Sequence, residues 1–151
     1  MMRLPILEVD GIAIGQSKSI ERFVAKKYGF VGVDDLETAQ IDMIDEHMRD
    51  IKDAYKKVRD GISDEAAKSA ALNKFFVTDL PEWFDKLEKA LKLTSTTPGV
   101  SVGSNLSHAD LSIYYTLVFY WGTNVEVVKK AYANCELIRW NFLSAVSNSL
   151  V

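Results

Sequence analysis

The pair Asp10-Gly11 most constrains what this chain can fold into. It stands between two short apolar, β-rich runs, Ile6 to Val9 and Ile12 to Ile14. Both central residues of a type I′ turn need φ > 0, which Asp-Gly supplies, so a two-residue hairpin is predicted. Gly15 is expected to carry the second strand out through a conformation closed to other residues. Gln16-Ser17 then stand where a helix begins, and backbone N–H groups at such a point favour a carboxylate or phosphate. With Pro5 bending the entry, Leu4 to Ile20 reads as a small sheet carrying an anion cradle. The rest of the chain reads as almost wholly helical.

The 151 residues are 48% hydrophobic and 26% charged, which suits one soluble domain or a small remnant attached to a main domain. The net charge is -3 and the basic residues are interleaved with acids, so nucleic acid is not an expected partner. Cys135 is the one cysteine, which rules out a disulfide framework and makes a reducing compartment the default. No apolar run is long enough for a bilayer, and the N-terminus has no signal-peptide core. A cytoplasmic protein without a membrane partner is expected.

Ser17 or Ser19 is expected to cap a helix reaching Tyr28, with Ile20, Phe23, Val24 and Tyr28 inward and Gly29 as the stop. A domain boundary is placed in the linker after it, giving units 1–31 and 32–151. Asp34 and Glu37 have capping-box spacing. Ile41, Ile44, Met48, Ile51, Tyr55, Val58 and Ile62 then repeat at three and four, the clearest helical period in the chain. Gly61 should end this helix and Ser63 cap the next. An apolar stripe runs on to Leu91, with a kink or restart near Asp79 because Pro81 lacks a donor and clashes one turn back. Thr94 to Gly99 reads as a loop. Ser107 and Asp110 form a second capping box, with Leu106 and Leu111 spaced for a hydrophobic staple. Ile113 to Trp121 is nearly all apolar and is expected to be buried all round, ending at Gly122. Asn124 should cap a helix to Tyr132. Cys135 to Val151 reads as a last helix, with Leu137, Trp140, Leu143 and Val146 inward.

Candidate chemistry is sparse. His47 and His108 have no partner at metal-ligand spacing, so no metal site is expected and His108 reads as a surface residue. Cys135 has no neighbouring base and reads as a packed thiol. Glu46 and Asp50 read as solvent-facing. Gln16-Ser17 weigh more, because they come after Leu-Pro, a hairpin and a glycine.

The stretches LPILEVDG and QSKSIERFVAKKYG resemble the second half of the thioredoxin-like domain of cytosolic glutathione transferases, nearest the sigma and alpha classes. AQIDMIDEHMRDIKDAY resembles the first helix of their all-helical domain, DLPEWFDKLEKAL the following kinked helix, and SHADL the capping box of the central helix. The resemblance covers Arg3 to about Trp121. It implies a mainly α fold: a partial thioredoxin-like β-hairpin and helix, then the all-helical C-terminal domain. It also implies that Pro5 is the cis-proline beside glutathione. Leu4 would offer its backbone to the cysteinyl part, with Arg3 next to that contact. Gln16 and Ser17 would hold the γ-glutamyl carboxylate, and Asp50 would reach the γ-glutamyl amine across a homodimer.

The family begins with strand, helix and strand before the Leu-Pro, with a catalytic Tyr or Ser on the first strand. An N-terminally truncated member is therefore expected, and no residue here is assigned the catalytic role. Two readings stay open. One is a transferase that joins glutathione, its co-substrate, to hydrophobic electrophiles with no further cofactor. The other is a non-catalytic remnant or a structural, partner-binding relative.

Overall fold

The computed structural model describes residues 4–139. Arg3, Trp140, Leu143 and Val146, and the expected last helix beyond residue 139, lie outside these residues.

Strands β1 (Ile6–Val9) and β2 (Ile12–Gly15) pair antiparallel, with Val9 opposite Ile12 and Ile6 opposite Gly15. Asp10 and Gly11 take φ of 51° and 79°, so the turn is the left-handed one that this pair favours. The strained exit residue is not Gly15. It is Gln16, at φ 71° and ψ 115°.

Helix α1 (Ser17–Tyr28) begins immediately after. Gln16 occupies its cap position without a side-chain bond, so neither Ser17 nor Ser19 caps it. Gly29 closes it in the left-handed conformation, its N–H bonding to the Ala25 carbonyl. The expected inward face is overturned: Phe23, Val24 and Tyr28 are exposed, and Ala25 is the buried residue of the helix. The side of α1 that meets the rest of the molecule is charged instead. Arg22 bonds Asp42 at 2.8 Å and Glu46 at 2.5 Å, and Lys18 reaches Asp45 at 3.0 Å.

Helix α2 (Asp35–Gly61) is the axis of the helical body, about 40 Å long at 1.5 Å per residue. The Asp34 carboxylate accepts from the Glu37 N–H at 2.8 Å, and the Glu37 carboxylate reaches back to the Val33 N–H at 3.0 Å, one residue before the cap. The linker comes so close that a Cβ on Gly32 would lie 2.3 Å from the Thr38 nitrogen. Ile41, Ile44, Met48, Ile51 and Tyr55 are buried, as their period predicts. Asp64, not Ser63, caps α3 (Glu65–Lys74) by accepting from the Ala67 N–H at 2.8 Å.

The restart near Asp79 is a π-helical turn, Phe75–Asp79, in which the Leu80 N–H bonds to the Phe75 carbonyl. The wider turn lets neighbouring Phe75 and Phe76 both face inward. Pro81 sits just beyond it, in the first turn of α4 (Leu80–Thr94), where a missing donor costs little. Phe84, Leu87 and Leu91 extend the stripe, and Tyr55 packs within 5.6 Å of both phenylalanine rings and 5.1 Å of Trp121.

Helix α5 (His108–Val118) opens with the expected capping box and ends four residues before Gly122. It is not buried all round. Ala109, Ile113, Thr116 and Leu117 face the core, whereas Leu111, Tyr115 and Phe119 form an exposed row. Leu106 is 56% exposed and Leu111 47%, so the expected staple is not part of the core. A 3-10 turn, Gly122–Asn124, leads into α6 (Val125–Ala131). Asn124 does not cap α6 through its side chain, whose amide reaches the Tyr55 hydroxyl at 3.4 Å. Residues 136–139 are helical, and buried Glu88 accepts from the Leu137 and Ile138 N–H groups. No helix among the described residues is long and apolar enough to cross a membrane.

Candidate functional site

Pairing of Ile6 with Gly15 sets Pro5 and Gln16 at the same end of the hairpin. The Leu4–Pro5 peptide bond is cis. Leu4, Pro5, Gln16 and Ser17 are positioned there together, Leu4 at 89% exposure. Ser17 is the first residue of α1, whose opening N–H groups have no partner within the helix. The first turn of α1 holds no acid and includes Lys18. An anion arriving at this corner meets backbone donors and no repelling carboxylate in the first turn.

Asp50 lies apart from that corner, on the exposed side of α2. Its side chain is 55% exposed and faces Arg49 at 3.8 Å. Arg49 also pairs with Glu46, which is bound to Arg22 as well, so Glu46 belongs to the clamp between α1 and α2 rather than to open solvent.

Behind Ser17 lies a cluster that sequence reasoning does not reveal. Lys18 Nζ stands 2.7 Å from Glu21 and 3.0 Å from Asp45, whose side chain is fully buried. His108 joins it, Nε2 at 3.4 Å from Glu21 and Nδ1 at 4.0 Å from Asp45. Only 12% of the His108 side chain is exposed, so it is not the surface residue expected. Its backbone N–H is held too, by the Phe30 carbonyl at 3.0 Å.

Burial pushes the Asp45 carboxyl up, but the nearby Ser112 hydroxyl, the Lys18 ammonium and His108 outweigh it and hold its pKa below the ordinary carboxylate value. Burial likewise opposes the charge on Lys18, and the Glu21 and Asp45 contacts outweigh it, so that pKa is raised. Ligand atoms of Glu21, Asp45 and His108 lie within 4.8 Å of one another, a spacing a metal ion could bridge. The Lys18 ammonium already pairs with both carboxylates. One signal for this cluster is present in the sequence: Asp45 follows Ile44 on the apolar stripe of α2, where an unpaired acid is costly.

The second buried polar centre is Asp110. One oxygen accepts from the Ser101 N–H at 2.7 Å and hydroxyl at 2.6 Å, the other from the Ser107 N–H and hydroxyl, both at 2.8 Å. It ties the loop before α5 to the helix and offers no open position for a ligand. Cys135 is buried, and burial with Glu88 and Asp85 nearby pushes its thiol up to about 11.

A family profile described as "Glutathione S-transferase, C-terminal domain" matches residues 43–142. Probable glutathione S-transferase 6 of Caenorhabditis elegans is 35% identical over 114 residues, covering 74% of this chain and 54% of the relative. Glutathione S-transferase of Plasmodium falciparum is 30% identical over 116 residues, 74% of this chain and 52% of its own length. The chain thus spans about half the length of these curated relatives. Among solved structures, prostaglandin synthase D of Nilaparvata lugens aligns over 96% of this chain and 69% of its own, with TM-score 0.79 and 26% identity. Na-GST-3 of the hookworm Necator americanus, described as monomeric, aligns over 97% and 69%, with TM-score 0.78 and 26% identity.

Proposed function

The chain belongs to the glutathione S-transferase family, and from that premise we propose that it binds glutathione at the exposed end of its hairpin. The carrying observation is the corner itself: Leu4 and Pro5 level with Gln16 at positive φ, and Ser17 opening a helix. In this reading Gln16 and Ser17 receive the γ-glutamyl carboxylate, through the helix N–H groups and the serine hydroxyl. The Leu4 backbone pairs with the cysteinyl part as an edge strand does, and Pro5 turns it outward. Arg3, outside the described residues, lies next to that contact. Asp50 reaches the glutathione amine of a partner copy in a homodimer. Residues 1–31 would form the glutathione-binding unit and 32–151 the helical one, in a cytoplasmic protein.

The relatives are named glutathione S-transferases, and the reaction we extend to this chain is the joining of glutathione, through its sulfur, to a hydrophobic electrophile. A thiol with pKa near 8.5 needs a donor to its sulfur to react as thiolate at neutral pH. The tyrosines of this chain lie at Tyr28 and beyond, in or next to helices, and we assign none of them to that step. A second reading is glutathione binding without turnover.

Two measurements separate these readings. The chain should be retained on immobilised glutathione, and Ser17→Ala should weaken retention about tenfold, the size expected for a charge-assisted hydrogen bond. Wild-type chain passing through unretained would end the binding claim. Conjugation of glutathione to a chloro-dinitrobenzene above the uncatalysed rate would end the second reading.

A further inference from the structure

Helices α1, α2 and the start of α5 cross behind Ser17, and each brings one metal-ligating side chain to the crossing: Glu21, Asp45 and His108. One atom from each lies within 4.8 Å of the others. The His108 ring is 3.4 Å from Glu21 through Nε2 and 4.0 Å from Asp45 Oδ2 through Nδ1, both longer than a charge-assisted hydrogen bond. Asp45 is fully buried, and its Oδ1 accepts from Lys18 at 3.0 Å. Its Oδ2 has no hydrogen-bond partner among the described residues, since the nearby Ser112 hydroxyl does not reach bonding geometry. A buried carboxylate oxygen left without a partner is costly, and this one faces the imidazole.

The two carboxylates share one ammonium, that of Lys18, so with a neutral imidazole the group keeps a net negative charge and a free nitrogen lone pair. A divalent cation meets both. One imidazole nitrogen and two carboxylate oxygens suit zinc, whereas magnesium and calcium take oxygen ligands. Three protein ligands leave the fourth tetrahedral position to water. Metal bonds of about 2.0–2.2 Å hold ligand atoms roughly 3.4 Å apart. Glu21 and His108 already stand at 3.4 Å, and the Glu21 side chain, 39% exposed, has room to adjust. Lys18 holds the cation position. Its flexible stem can carry the ammonium into an open cleft of about 500 Å³ that Lys18, Glu21 and His108 line, and the same cleft admits an ion. Lys52 also lines it and is the neighbouring charge that opposes a cation.

We propose that Glu21, Asp45 and His108 form a site for one divalent transition-metal ion, zinc by its ligand chemistry, which binds by displacing the Lys18 ammonium. Lys18 is then a built-in competitor. It fastens α1 to Asp45 when metal is scarce, and the ion fastens α1, α2 and α5 together when it is bound. The site uses neither Gln16 nor Ser17 and does not depend on the glutathione reading.

Competition for zinc between the full chain and a chromophoric chelator of about micromolar affinity tests this. One ion should bind per chain, and cobalt in its place should show the visible d–d bands of a four-coordinate site. Glu21→Gln and His108→Gln should each weaken zinc binding about tenfold or more. Lys18→Met, which removes the competing cation, should tighten it about tenfold, and Lys52→Met should tighten it less. His47→Gln should leave it unchanged. Far-UV circular dichroism checks that each variant is folded, and Glu21→Gln, at a partly exposed position, decides the matter if His108→Gln does not fold. A wild-type chain that leaves all zinc on the chelator would overturn the proposal. So would zinc binding that survives either ligand variant in folded form, that weakens in Lys18→Met, or that is lost in His47→Gln.

Discussion

Gln16 holds φ 71° and ψ 115° with a full side chain, between a strand and the first turn of α1. Such a residue costs about 1–3 kcal/mol and persists where the surroundings over-determine it. Gly15 beside it has the freedom and does not use it. The strain thus falls on the residue that the glutathione reading needs. Gln16→Gly should relieve it, less the roughly 0.5–1 kcal/mol that glycine loses in the unfolded chain, for a net gain of about 1 kcal/mol. Denaturant unfolding should show a higher midpoint while retention on glutathione falls. A lower midpoint would mean that the side chain supports the turn. Cys135 is the opposite case, a residue with reactive chemistry and no access. It is 2% exposed and its thiol is pushed up to about 11. A disulfide-exchange reagent at pH 8 should leave it untouched in the folded chain and label it on unfolding. Stoichiometric labelling of the native protein within minutes would show that the C-terminal packing opens.

At the level of elements, Asp110 does more than close a capping box. Four hydrogen bonds converge on its carboxylate from Ser101 and Ser107, so one side chain fixes both the start of α5 and the loop that leads into it. Asp110→Ala removes the cap and takes this acceptor from buried donors at once. A loss of about 3 kcal/mol is expected from the cap and the stranded donors together. Urea unfolding measures it, and a loss under 1 kcal/mol would show that the loop finds other acceptors. The Ser107 half of this arrangement is legible in the sequence, because a capping box is written within three residues. The Ser101 half is not, since only the folded loop brings a residue nine positions away onto the same oxygen. The same division runs through the chain. The turn at Asp10-Gly11, the cap at Asp34 and the stripe Ile41 to Tyr55 rest on local chemistry and are readable. The faces of α1 and α5 are not. Apolar spacing predicts which residues share a side, and it does not say whether that side meets a charged neighbour, as in α1, or borders an open cleft, as in α5. Of the candidate site, Gln16 and Ser17 can be picked out by order alone. Lys18, Asp45, His108 and Lys52 come together only through the crossing of three helices.

For the whole molecule, the consequence is that the hairpin and α1 are joined to the helical body mainly by charge. A two-stranded sheet has little stability of its own, and α1 buries one residue, Ala25. Its attachment is Lys18 on Asp45, Arg22 on Asp42 and Glu46, and the backbone bond from His108 to Phe30. The body has the stripe of α2 packed against α4 and α5. The two parts should therefore respond differently to pH. The folded Asp45 pKa lies below its ordinary 3.8, so its contribution is complete above that value and drains away as pH falls through the folded one. The folded Lys18 pKa lies above its ordinary 10.5, so its contribution is complete below that value and is lost as pH rises through the folded one. Attachment of α1 should be firm across the neutral range and weaken at both extremes. Asp45→Asn should loosen it at neutral pH by about 3 kcal/mol, the scale for leaving one partner of a buried pair uncompensated. Amide hydrogen exchange resolves this by segment. At pH 7 the amides of α1 should exchange faster than those around Met48 and Ile113, and Asp45→Asn should widen that gap. Near pH 3, exchange rates corrected for their intrinsic pH dependence should show α1 losing protection while the body keeps it. If α1 and α2 instead lose protection together in the variant, the hairpin and α1 are not a separable layer. The Lys18–Asp45 contact would then be part of the single core, and its removal would unfold the whole chain.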